Sequence, residues 1–213
     1  MSTHFITKES ESKTENDSFN SSFNSELSNS SIEVDLDEMK KDDFNNPLFK
    51  IAYEISEILK ILIEKSAFNS NIKVKQSVTE IFNSLIIPQI SIYDYLKRII
   101  MYSNIEENTL ISSLIYIDRL CIKNVNLNKY TIHKILFSCI LLSIKTNEDN
   151  FYKNDYYSEI SGIPLKQLNF IEYNLLVIFN FETYISSDIF NEYKKILLRD
   201  IIWIIICELK AFW

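Results

Sequence analysis

One glycine and three prolines in 213 residues leave this chain almost without the means to reverse direction tightly. Hairpins need residues that accept positive φ, and a sheet needs many hairpins or comparable turns. Helices need such residues only at their ends, so a chain this poor in glycine reads as all-α. Hydrophobic residues make up 46% of it, enough for a sizeable core. They recur at spacings of three and four, the period of a helix with one buried face. The abundance of Asn, Ile, Lys and Tyr reads as coding bias, and the Asn-rich connections carry little weight.

The net charge of −7 is unevenly placed. Residues 1–43 hold eleven acids and four lysines, while the remaining 170 residues hold eighteen of each sign. The acidic, Ser- and Asn-rich stretch 1–45 has too little apolar surface to offset the entropy of ordering and reads as a disordered tail. The neutral remainder lacks the basic footprint of a nucleic-acid-binding surface. The amino terminus has no apolar run of the signal-peptide kind. The run Ile201 to Cys207 is intensely apolar but far short of the ~20 residues that span a bilayer. An intracellular protein of cytoplasm or nucleus, not secreted and with no membrane partner, is the expectation. Cys121, Cys139 and Cys207 lie in apolar helical patterns without metal-ligand spacing and read as small buried hydrophobes in a reducing compartment.

Helices follow in order. Asn46-Pro47 is a cap followed by proline at the first helical position, and Leu48, Ile51, Ala52, Ile55, Ile58, Leu59, Leu62 and Ile63 make one stripe. A weaker helix carries Val74, Val78, Ile81, Phe82 and Leu85 and ends near Pro88. Ser91 and Asp94 then form a capping box for a helix whose stripe is Ile92, Tyr95, Leu96, Ile99 and Ile100. The next runs from Glu107 to Ile122, with Ile111, Leu114, Ile115, Asp118 and Ile122 on one face. Thr131 to Lys145 is apolar nearly all round, as a helix enclosed by its neighbours must be. A short helix, NDYYSEI, stops at Ser161-Gly162. Another opens at Pro164 and points Leu165, Leu168, Ile171, Leu175, Leu176 and Phe179 inward. A last helix starts after Ser186-Ser187-Asp188, with continuation into the apolar end left open. The divisions are a tail at 1–45, N-terminal helices at 46–87, a helical domain at 88–184 and a C-terminal helix or helices at 185–213.

Three charges fall on apolar faces. Asp118 lies mid-helix and, if buried, needs an internal cation; Arg98 is the nearest candidate by topology, with Arg119 facing elsewhere. Lys145 closes the most hydrophobic helix, and Glu172 lies on the inward stripe four residues after Leu168. Each of the latter two also has an ordinary reading, as a dipole-favoured last-turn lysine and a carboxylate reaching around to water.

Taken in order, YLKRI (from Tyr95), YIDR (from Tyr116), SIK (ending at Lys145), YSEISG (ending at Gly162) and QLNFIEYNLL (from Gln167) resemble the recurring features of a cyclin box. The chain is most similar to single-box P/U-type cyclins related to the yeast phosphate-regulating cyclin. The resemblance implies a five-helix box at about 85–185, flanked by N- and C-terminal helices. It implies a regulatory subunit that binds a cyclin-dependent protein kinase and holds the kinase's regulatory helix in its active position. In the family, the lysine ending the third box helix and the glutamate of the fifth hydrogen-bond to kinase backbone; carried over, these are Lys145 and Glu172. The family aspartate in the place of Asp118 pairs internally with an arginine and braces the box, which assigns a structural ion pair to Asp118 and Arg98. The hydrophobic substrate-docking signature of cell-cycle cyclins is absent, and about thirty residues after Phe181 leave no room for a second box. The helix from Pro47 suits either contact with the kinase or completion of the core.

No catalytic constellation, cofactor or metal site is expected. A phosphate-binding loop needs more than one glycine, and His133, in the first turn of a buried helix, reads as a packing or capping residue. The rival readings are a transcription-factor-type cyclin fold and a non-kinase helical adaptor that uses its apolar end to dimerise or to touch a membrane.

Overall fold

Asparagine does much of the turning that glycine does elsewhere. In the computed structural model, which describes residues 46–68 and 79–198, the non-glycine residues with positive φ are Asn104, Asn124, Asn180 and Phe181. Asparagine is tolerated there because its short side chain hydrogen-bonds locally. These residues are what the Asn-rich connections contribute, and composition alone had concealed it. The one glycine, Gly162, has φ +69° and caps a helix by donating its N–H to the Ser158 carbonyl.

Seven helices, and no strand among the described residues, follow: α1 (Pro47–Phe68), α2 (Ile92–Ser103), α3 (Glu107–Ile122), α4 (Ile132–Asn147), α5 (Asn154–Ser161), α6 (Leu165–Ile178) and α7 (Ser187–Leu198). None is long and apolar enough to cross a membrane, among the described residues. Asn46 caps α1 by accepting from the Leu48 N–H at 2.9 Å. Ser91 caps α2 by accepting from the Asp94 N–H at 3.0 Å, and its own hydroxyl donates to the Asp94 carboxylate at 2.5 Å. At the start of α3, Glu106 makes no side-chain cap. The carboxylate of Glu148, at the end of α4, accepts from the Glu106 N–H and the Thr109 hydroxyl instead. That places an anion on the positive end of α3.

The core is built around α4. Every residue from Ile135 to Ile144 is buried. Its Ser138 hydroxyl donates to the Lys134 carbonyl at 2.6 Å, a back-bond that spares a buried donor. Helix α3 is the partner most extensively packed on it and is itself buried from Thr109 to Ile117. Helix α6 packs on α4 and on α5, α2 packs on α5, and α1 lies across α2 and α3 with α7 beside α1 and α3. Helix α1 contributes Ile51, Ala52, Ile55 and Leu59 to the core. Lys97 of α2 lies over the Phe49 ring of α1, 5.3 Å from its centroid.

Three expectations need correction. The weaker helix before Pro88 ends sooner than expected: residues 79–80 are helical, but 81–91 are turns and irregular chain, with Phe82 buried and Leu85 fully exposed. Its first half, with Val74 and Val78, lies outside the described residues, as do the tail at 1–45 and the apolar run from Ile201. Leu165 is exposed, because it is the first residue of α6 and precedes the turn that meets α4. On α3 the inward line is Ser113, Ile117 and Leu120, and Asp118 and Ile122 face out.

His133 packs. It is buried, its ring meets that of Tyr95 edge-on with centroids 5.1 Å apart, and its Nε2 lies 3.0 Å from the Ile90 carbonyl, the distance of a donated hydrogen bond. Burial holds its pKa below the ordinary 6.5, against an opposing pull from that hydrogen bond. The unfolded chain therefore takes up this proton before the folded one does, so stability is complete above pH ~6.5 and falls as pH drops toward the folded value. Melting temperatures between pH 7.5 and 5.5 should fall more steeply for the parent than for His133→Gln, which retains a donor for Ile90 but cannot titrate. Equal slopes would remove His133 from the account.

Candidate functional site

Lys145 is the first residue of α4 after ten buried ones, and it meets Glu172 of α6 with Nζ 2.5 Å from Oε1. Their side chains are 26% and 18% exposed, so the pair is neither sealed in nor fully solvated. The second carboxylate oxygen of Glu172 accepts from Nδ2 of Asn154, the first residue of α5, at 2.7 Å. The same amide group donates to Oδ1 of Asn169, one turn before Glu172 on α6, at 2.7 Å. A single polar junction thus ties α4, α5 and α6 together. The expected residues Lys145 and Glu172 are brought into contact by it. Asn154 and Asn169 were not singled out from sequence, although both lie within or beside quoted motifs and Asn169 is three residues before Glu172 on one helix face.

Exposed hydrophobes lie on the same elements. Phe151 and Tyr152 are exposed in the α4–α5 connection, and Phe170, Tyr173 and Val177 form an outward line on α6 at spacings of three and four. Phe181, just past α6, is 62% exposed and has φ +60°. A left-handed conformation costs a phenylalanine ~1–2 kcal/mol, and here no burial offsets it. The turn is held by the Phe181 N–H donating to the Leu176 carbonyl at 2.8 Å and the Asn180 N–H donating to Val177 at 3.0 Å.

The expected ion pair between Asp118 and Arg98 is not formed. Asp118 is exposed and accepts from the hydroxyl of Tyr193 on α7 at 2.8 Å. Arg98 donates to the Glu159 carbonyl at 3.0 Å. The physical reason is the turn of α3: its last turns bury Ile117 and Leu120, which carries Asp118 around to the side where α7 lies. Bracing belongs to the neighbours instead. Tyr116 donates to the Thr183 carbonyl at 2.7 Å, and Arg119 donates to the carbonyls of Glu182 and Tyr184 at 3.3 and 2.8 Å. The guanidinium also sits 5.6 Å from the Tyr116 ring centroid. The i, i+3 spacing of Tyr116 and Arg119, which puts both on one side of α3, is the signal of this brace in the sequence. Together these residues fix the three residues that follow Phe181.

A family model for cyclins matches residues 5–183. The chain belongs to the cyclin family. The matched residues include helices α1 to α6. Among similar proteins, Cyclin-U4-1 of Arabidopsis thaliana is 26% identical over 162 residues, which is 74% of this chain and 80% of the relative. Cyclin-U4-3 of the same plant is 30% identical over 161 residues, 74% and 73% of the two chains. The PHO85 cyclin-like protein psl1 of Schizosaccharomyces pombe is 35% identical over 121 residues, 55% of this cyclin and half of that one. The family's members are regulatory subunits. Of the quoted motifs, SIK and QLNFIEYNLL supply the junction and YIDR the brace. YLKRI meets YSEISG through Tyr95 donating to the Ser161 carbonyl and Arg98 donating to that of Glu159.

Two variants separate brace from surface. Arg119→Ala should destabilise this cyclin by roughly 1–2 kcal/mol, because it removes charge-assisted hydrogen bonds to two carbonyls. Asp118→Ala should cost under ~1 kcal/mol, the usual scale of an exposed polar contact. Urea unfolding of both proteins measures the two values, and the reverse order would restore the buried-aspartate reading.

Proposed function

We infer that this cyclin binds a cyclin-dependent protein kinase through the face that carries Lys145 and Glu172, and activates it by holding the kinase's regulatory helix. The observation that carries the reading is the partly exposed Lys145–Glu172 pair on elements lined with unburied aromatics. Two charges fixed at the edge of apolar surface set orientation, while the surface supplies contact area. A lysine ammonium has three donors, and a carboxylate oxygen accepts more than one hydrogen bond. Both groups can therefore serve main-chain carbonyls and N–H groups of a partner. A kinase whose regulatory helix is held inward has its Lys–Glu ion pair assembled around ATP and metal, which is how contact at a distance becomes catalysis. The family membership and the likeness to a PHO85 cyclin-like protein support a kinase partner.

Reversing both charges tests the reading cleanly. Lys145→Glu with Glu172→Lys keeps a salt bridge between α4 and α6 but presents the opposite pattern to a partner. Against a panel of purified cyclin-dependent kinase subunits, the parent should bind at least one and raise its phosphorylation of a generic peptide. The double reversal should melt near the parent temperature yet lose roughly 30-fold or more in affinity, the scale for a mispaired interfacial charge. Failure of the parent to bind any kinase, or equal binding by the reversed protein, would overturn the proposal.

A further inference from the structure

Asn154 holds its two acceptors at an expense to itself. Its Nδ2 donates to Glu172 Oε2 and to Asn169 Oδ1, both at 2.7 Å, while its own Oδ1 is buried with no hydrogen-bond partner. A carboxylate can only accept, so the orientation of the amide is dictated by Glu172. Leaving a carbonyl buried and unpaired is unfavourable, and the fold retains it. Nor is the residue there to start its helix: it stands at the first position of α5, and the N-terminus of α5 has no side-chain cap.

The carboxylate of Glu172 is therefore divided. Oε2 is tied to α5 by Asn154, and Oε1 faces Lys145. We propose that Asn154 is a positioning residue for the kinase contact, anchoring Oε2 so that Oε1 stays aimed when Lys145 changes partner. The inference rests on the kinase-binding reading above. In the free protein Lys145 satisfies Oε1. When the lysine donates to a kinase carbonyl, a carboxylate held only by Lys145 would be released to rotate, and its ordering would count against binding. One held by Asn154 keeps its direction and presents Oε1 to a kinase N–H.

The test is a mutant cycle on the kinase subunit that binds the parent best in the panel. Four proteins are compared: the parent, Asn154→Ala, Glu172→Ala and the double variant, each with its dissociation constant and its melting temperature. Asn154→Ala should weaken binding by ~10-fold, the loss of a hydrogen bond to a charged group. In the Glu172→Ala background the same change should alter affinity less than ~2-fold, because nothing is left to position. A general loss of structure would lower affinity in both backgrounds. Should the alanine variant melt below the assay temperature, the isosteric Asn154→Asp carries the test, replacing a donor with a second acceptor beside Glu172. The inference is overturned if Asn154→Ala binds like the parent, or if it costs the same with and without Glu172. Unchanged binding by Glu172→Ala would instead overturn the reading on which the inference stands.

Discussion

Enclosure of α4 is the constraint from which the rest follows. A helix buried continuously from Ile135 to Ile144 has to be closed on all sides by other helices, and its own backbone bonding is what lets it sit there without water. Charge is excluded along that length. It returns at the last turn, where α4 emerges and Lys145 finds Glu172 of α6 and, through it, Asn154 of α5. The polar junction is thus where the enclosed helix meets the surface, and the contact face is a product of the core rather than an addition to it.

The second constraint concerns the turn after α6. Phe181 holds a conformation that costs energy and gains no burial, and a turn of that kind persists only if its surroundings over-determine it. Tyr116 and Arg119 do so from α3, through the carbonyls of Glu182, Thr183 and Tyr184. Two sets of family motifs therefore have separate physical duties: one orients charges, the other fixes the backbone beside an exposed ring.

Much of this was legible in the sequence. Helix positions followed from apolar spacing and capping residues, as at Ser91, Pro47 and Gly162, because those signals act within a few residues. Lys145 and Glu172 were legible as charges on greasy faces, and resemblance to cyclins gave them a role. What periodicity could not supply was rotation. Asp118 sits at a position that a straight stripe counts as inward, yet the last turns of α3 bury Ile117 and Leu120 instead, and Asp118 turns out toward Tyr193. Asn154 was hidden for another reason: its importance comes from a contact between helices, and no local pattern marks a side chain that serves a residue eighteen positions away. Asparagine's use in the turns was concealed by its abundance.

Amide hydrogen exchange on the free protein and on its mixture with a purified cyclin-dependent kinase subunit tests the central claim most directly. Lys145 and the start of α4 lie at opposite ends of a 16-residue helix, about 20 Å apart at 1.5 Å per residue, so the two ends are distinguishable. The account predicts slowed exchange in residues 148–153 and 179–184 on adding the kinase, with the α3–α4 connection at 123–131 unchanged. Protection confined to 123–131, or none anywhere, would contradict it.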